Sequence, residues 1–254
     1  MRRSLKDEGA RFVLALALMP LGALAATAQQ GDTNSAAALK DCEQTDSAPL
    51  VVRACTAVLR GELAPQERIR ILHLRARGWM KEDEFAAAAE DYTSILEGEP
   101  GNVAALEGRA KANAKQNHHI DSVADYTTLI GLDGQNAKYY RDRGTEHLGA
   151  RHFDEALADF DKSIAMEPNA IDAYIGRAKV YSALGNIEQS KREFERGIAV
   201  NDRYLPLFWI RGEMAYEWGD KDLAIASYRR VLALNGVYED ARRRLQRLGI
   251  MHPP

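Results

Sequence analysis

A 34-residue self-similarity between residues 69 and 238 constrains this chain more than any other feature. Pro100 and Pro168 stand 68 positions apart, and blocks of 34 give five units: 69–102, 103–136, 137–170, 171–204 and 205–238. Position 24 is then Tyr92, Tyr126, Phe160, Phe194 and Tyr228, always aromatic. Position 8 is Ala76, Ala110, Gly144, Ala178 and Gly212; position 20 is Ala88, Ser122, Ala156, Ser190 and Ala224. Position 28 is Leu96, Ile130, Ile164, Ile198 and Leu232. Twenty positions obey four size rules without a gap.

Packing explains these rules. Small side chains at positions 8 and 20 let two helices approach closely, the aromatic fills the space beside them, and the aliphatic continues the buried stripe. Each block therefore predicts helix A over positions 1–14, a turn near 15–17 and helix B over 18–30. Asp83, Asn117, Gly185 and Gly219 supply turn chemistry at position 15. Pro100, Gly134, Pro168 and Gly236 break the chain at position 32. One such pair cannot bury its own apolar face, so neighbours must stack.

The pattern resembles the tetratricopeptide repeat. That resemblance implies an all-α, right-handed solenoid of five helix-turn-helix repeats, with a concave groove lined by helix A. It also implies binding of peptides or protein surfaces rather than catalysis. Position 4, often Trp in the family, is Leu72, Leu106, Tyr140, Tyr174 and Phe208. Position 7, usually Leu, is Arg75, Arg109, Arg143, Arg177 and Arg211. The second block departs most, with Asn113 at position 11 and His119 at 17.

The arginine column has a matching column at position 23: Asp91, Asp125, Asp159 and Glu193, then Ser227. Position 7 lies on the core side of helix A and position 23 beside the aromatic of helix B. A guanidinium there can pair bidentately with a carboxylate, so an internal ladder of charge pairs is expected.

The flanks differ from the repeats. Arg2, Arg3, Lys6 and Arg11 precede an apolar run from Phe12 to Ala25 and two small-x-small sites, the order of a secretory signal peptide over 1–28. Cleavage after Ala28 would lower the net charge from -3 to -5. Residues 29–40 read as a mobile leader, 41–68 as an N-terminal helical hairpin cap, and 239–254 as a C-terminal capping helix and tail. In an oxidising compartment, Cys42 and Cys55 are expected to bridge and staple the hairpin across its turn. Their loop of 13 positions corresponds to about 3 kcal/mol of chain entropy.

No GxGxxG, Walker loop, HExxH, GxSxG or CxxC motif occurs, and no cofactor, metal or catalytic residue is assigned. His118, His119 and His152 lie at turns and offer too few ligands for a zinc site. The net charge of -3 gives no global attraction to nucleic acid, and no stable membrane insertion is expected once the signal is removed. The expected role is a non-enzymatic interaction scaffold of the periplasm or cell envelope. The alternative is a structural subunit that self-associates through its end faces; a monomer is favoured.

In tetratricopeptide repeats, helix A positions 2, 5, 9, 12 and 13 usually face the groove. Here these include Arg70, His73, Arg77, Lys81, Lys111, Lys115, Lys138 and Arg141 in the first three blocks, opposed by Glu107. Asp172, Lys179, Glu213 and Glu217 follow, with Ile175, Trp209 and Tyr216 as apolar surface. The reading is a basic N-terminal groove that steers in an acidic peptide segment or protein surface. The paired asparagines of the family's carboxylate clamp are missing.

Overall fold

The computed structural model describes residues 37–43 and 46–250. The expected signal peptide, the leader up to residue 36 and the tail 251–254 lie outside the described residues. All regular structure among the described residues is helical. Helix α1 covers 37–43, and α2 runs Ala48–Val58. The chain then alternates α3 (Pro65–Lys81), α4 (Phe85–Gly98), α5 (Val103–Lys115), α6 (His119–Leu132) and α7 (Ala137–Gly149). It continues with α8 (Phe153–Met166), α9 (Ile171–Ala183), α10 (Ile187–Val200), α11 (Leu205–Glu217), α12 (Lys221–Leu234) and α13 (Glu239–Arg247). From α2 on, each helix packs on the next in sequence, and α7 on α9 and α9 on α11 also touch, so the elements stack in one direction.

The physical basis of each unit is visible at its turns. Asp83, Asn117, Arg151, Gly185 and Gly219, one per pair at position 15, all adopt positive φ between 58° and 79°. Three of them carry a side chain in a conformation that favours glycine, and Arg151 has neither the flexibility of Gly nor the local hydrogen bonding of Asn or Asp. At the next junctions, Asn102 caps α5 by accepting from the Ala105 amide at 3.0 Å, and Asn136 caps α7 through the Lys138 amide at 3.2 Å.

The position-24 aromatics are buried in every pair. A Cβ placed on Gly108 would overlap the Tyr92 ring, and one on Gly176 would overlap Phe160. These glycines at position 6 therefore admit the aromatic of the preceding block's helix B. One core cluster joins α3 to α7 around Tyr92 and Tyr126, and another joins α9 to α13 around Phe194, Phe208 and Tyr228. A smaller group containing Phe160 and Val180 lies between them.

One boundary differs from expectation. Residues 37–40 are helical rather than leader, because Ala38 and Leu39 pack against the buried Cys42, Cys55 and Ile71. The first long helix begins at Pro65, which suits a helix's first turn because proline there loses no hydrogen bond. Cys42 and Cys55 form a disulfide joining α1 to α2, with an S–S distance of 2.01 Å. Both cysteines are buried.

Candidate functional site

The position-7 arginines join three helices each. Arg109 on α5 donates from Nε and Nη2 to the two carboxylate oxygens of Asp125 on α6, at 3.0 and 2.7 Å. Its Nη1 donates to Thr93 Oγ1 on α4 at 3.2 Å. Arg143 repeats this with Asp159, at 2.8 and 2.7 Å, and with Thr127 at 3.2 Å. Arg75 likewise grips Asp91 and donates to Thr56 on α2. Hydrogen bonding to the aspartates is the main cause that raises the pKa of Arg109 and Arg143.

The later arginines are held differently. Arg177 donates to Glu193 at 2.5 Å and, from Nη1, to Asp161 on α8 at 2.6 Å. Arg211 donates to the Ser227 hydroxyl at 3.0 Å and to Glu195 on α10 at 2.8 Å. Burial lowers the Arg211 pKa despite Glu195. From the second block on, the third partner sits at position 25 of the preceding helix B: Thr93, Thr127, Asp161 and Glu195. Sequence reasoning missed that column, although a hydrogen-bonding side chain stands at each of these positions.

The proposed basic groove is largely neutralised from within. Glu107 pairs with Lys111 at 3.3 Å and with Lys138 at 3.5 Å. Lys138 also meets Asp142 at 3.3 Å, and Arg141 pairs with Asp142 at 2.7 Å. Burial opposes ionisation of Glu107, yet Lys138 and its other partners leave its pKa lowered. Arg70 pairs with Glu43 of α1 and with Glu67. Glu107 is therefore not the sole opposing charge: Asp142 sits at position 6, one residue off the groove lane, and Glu43 comes from the cap. His73 lies 3.3 Å from Asn102 Oδ1, with its pKa lowered by burial. Arg77, Lys81, Lys115 and Lys179 are exposed and form no ion pair among the described residues.

The apolar end is also rearranged. Ile175 is only 4% exposed and belongs to the core. Trp209 packs against Tyr228 and Tyr238 at ring separations of 5.7 and 5.2 Å, so α13 and its entry turn shield part of the indole. Glu213 accepts the Tyr228 hydroxyl at 2.6 Å and pairs with Arg244. Tyr216 remains 43% exposed, with the Arg244 guanidinium 5.5 Å from its ring. The groove surface predicted from Ile175 and Trp209 is thus reduced because a further helix A covers the lane.

His119 and His152 do not join His118 in a metal site. His119 Nδ1 is 2.9 Å from Glu146 Oε2, and the His152 ring lies 5.8 Å from His147. Burial raises the Glu146 pKa and lowers that of His147. Among the described residues no group of three or more His, Cys, Asp or Glu could hold a metal ion. No helix among them is long and apolar enough to cross a membrane.

Two tetratricopeptide-repeat profiles match the chain, over residues 147–209 and 205–238. No curated protein matches the sequence. A tetratricopeptide repeat protein from Parabacteroides merdae is 21% identical, with a TM-score of 0.68, covering 87% of this chain and 90% of its own. A thermophilic TPR protein of Thermus thermophilus is 18% identical, with a TM-score of 0.58, covering 74% of this chain and 100% of its own. MamA from Desulfovibrio magneticus is 11% identical, with a TM-score of 0.58, over 69% of this chain and 97% of its own. At these identities the structural likeness concerns the fold. Residues 147–238 thus carry tetratricopeptide repeats, and the described residues share the fold of tetratricopeptide-repeat proteins, with arginine at position 7 of every block.

Proposed function

We propose that this protein is a non-catalytic interaction scaffold whose concave face holds an acidic peptide segment or protein surface. Its work is placed in the periplasm or cell envelope, with residues 1–28 as the export address. The buried disulfide supports an oxidising compartment, because such bonds persist where thiols are not kept reduced. Repeat stacks present extended concave surfaces to their partners.

One observation carries the choice of an acidic ligand. Arg77, Lys81 and Lys115 lie at groove positions 9 and 13 and form no ion pair among the described residues, while Lys111, Lys138 and Arg141 beside them are already matched. The docking cations are therefore these three, near the C-terminal ends of α3 and α5. Helix C-termini favour positive side chains.

The test uses a fluorescent hexaglutamate peptide and anisotropy. Binding should weaken as salt rises. Lys81→Glu with Lys115→Glu should reduce affinity at least tenfold, whereas Arg229→Glu on α12 should leave it unchanged. Equal loss in both proteins would replace the groove with a diffuse charge effect.

A further inference from the structure

The ladder contains its own internal controls. In the fourth and fifth rungs a carboxylate approaches the arginine from position 25: Asp161 reaches Arg177 Nη1 at 2.6 Å and Glu195 reaches Arg211 Nη1 at 2.8 Å. Both carboxylates are well exposed, at 62% and 65%, so this edge of the guanidinium opens toward the outer surface formed by the B helices. Position 26 adds a second cation in these rungs, and each is matched. Arg196 pairs with Glu193 at 2.7 Å and Arg230 with Asp202 at 3.1 Å.

The third rung has the same cations without the same anions. Position 25 is Thr127, whose hydroxyl accepts from Arg143 Nη1 at 3.2 Å and donates to the Val123 carbonyl at 2.8 Å. A guanidinium carries five N–H donors, and the contacts to Asp159 and Thr127 use three. Position 26 is Lys162, exposed and without an ion pair among the described residues. Arg143 and Lys162 both stand near the Tyr140 ring, at 5.8 and 5.9 Å from its centroid. The neighbouring Asp161 is engaged by Arg177. The first two rungs carry neutral Ser94 and Thr128 at position 26, so this excess of positive charge belongs to the third rung.

The geometry points to a second binding site, on the convex surface between α6 and α8, where Arg143 and Lys162 take a carboxylate side chain of a protein partner. The partner's carboxylate occupies the place that Asp161 and Glu195 fill one and two repeats later. An Arg–carboxylate contact of this kind is directional, and the adjacent ammonium strengthens it. This site lies on the B helices, apart from the groove cations on α3 and α5, and stands or falls separately from the concave reading.

The experiment starts from full-length protein carrying Lys81→Glu and Lys115→Glu, which removes the concave cations. Residual anisotropy binding of the fluorescent hexaglutamate is expected. Adding Thr127→Asp, which supplies the carboxylate internally, should abolish that residue of binding, and Lys162→Ala should weaken it at least fivefold. Thr127→Asp alone should also raise Tm, because its carboxylate meets Arg143. No residual binding in the starting variant, while the parent protein binds, would overturn the convex site and leave the groove intact. Residual binding that survives both added substitutions would overturn it as well. Should Thr127→Asp fail to fold, the Lys162→Ala result decides alone.

Discussion

The first three rungs of the ladder and the last two hold the same residue in the same place by different means. Arg75, Arg109 and Arg143 each grip an aspartate with two parallel bonds and touch a neutral threonine. Arg177 instead divides its contacts between Glu193 and Asp161, and Arg211 between Ser227 and Glu195. The charge of the early arginines is thus compensated by a buried partner inside the repeat. That of Arg211 depends on an exposed glutamate of the neighbouring repeat, while burial works against it. The repeat conserves a direction for the guanidinium, and the partner that satisfies it can change sides.

The largest expected effect breaks an early rung. Asp125→Ala should cost about 2–3 kcal/mol by chemical denaturation, below the ~3–5 typical of a fully buried pair because Arg109 keeps some solvent contact. Ser227→Ala at the last rung should cost only about 1 kcal/mol, the value of one net hydrogen bond. Equal losses would mean that both rungs rely on the same compensation.

Acid should separate the two regions next. His73 and His147, both before α8, have pKa values lowered below 6.5 by burial. A depressed histidine contributes no penalty above its unfolded value and destabilises as pH falls through 6.5, because the unfolded chain takes up the proton first. Hydrogen-exchange protection, taken relative to the intrinsic rate at each pH, should therefore fall between pH 7 and 5 in α3 and α7 more than in α11 and α12. A uniform fall would contradict this placement.

The smallest effect concerns the turns. Arg151→Gly should stabilise by about 0.5–1 kcal/mol by relieving a left-handed conformation, and Gly185→Ala at the equivalent turn should destabilise by about 1. A thermal melt of each variant checks the opposite signs.

Much of the architecture was legible because period and size are local properties. The predicted bounds of helices A and B agree with α5 through α12 to within about one residue, since small, aromatic and breaking residues recur in phase. The site was less legible. Ile175 and Trp209 occupy lane positions of helix A, yet neighbouring helices cover them, and coverage depends on contacts between blocks rather than on position within one. Asp142 escaped notice because it lies one residue off the lane, although it neutralises both Lys138 and Arg141. The position-25 partners were hidden for a related reason: their meaning appears only when the following block is laid beside them.

Helix α13 repeats the spacing of a helix A, but Leu245 stands where an arginine would, fully buried, and Arg229 stands sixteen residues before it. In each of the four junctions between repeats that separation links a threonine or an acid to an arginine. The consequence concerns how such a gene can lengthen. Copying residues 171–204 in tandem would set Glu195 against a second Arg177, an attractive contact. Copying residues 205–238 would set Arg229 against a second Arg211, a repulsive one. Growth by duplication is therefore open from within the array and closed at its last unit.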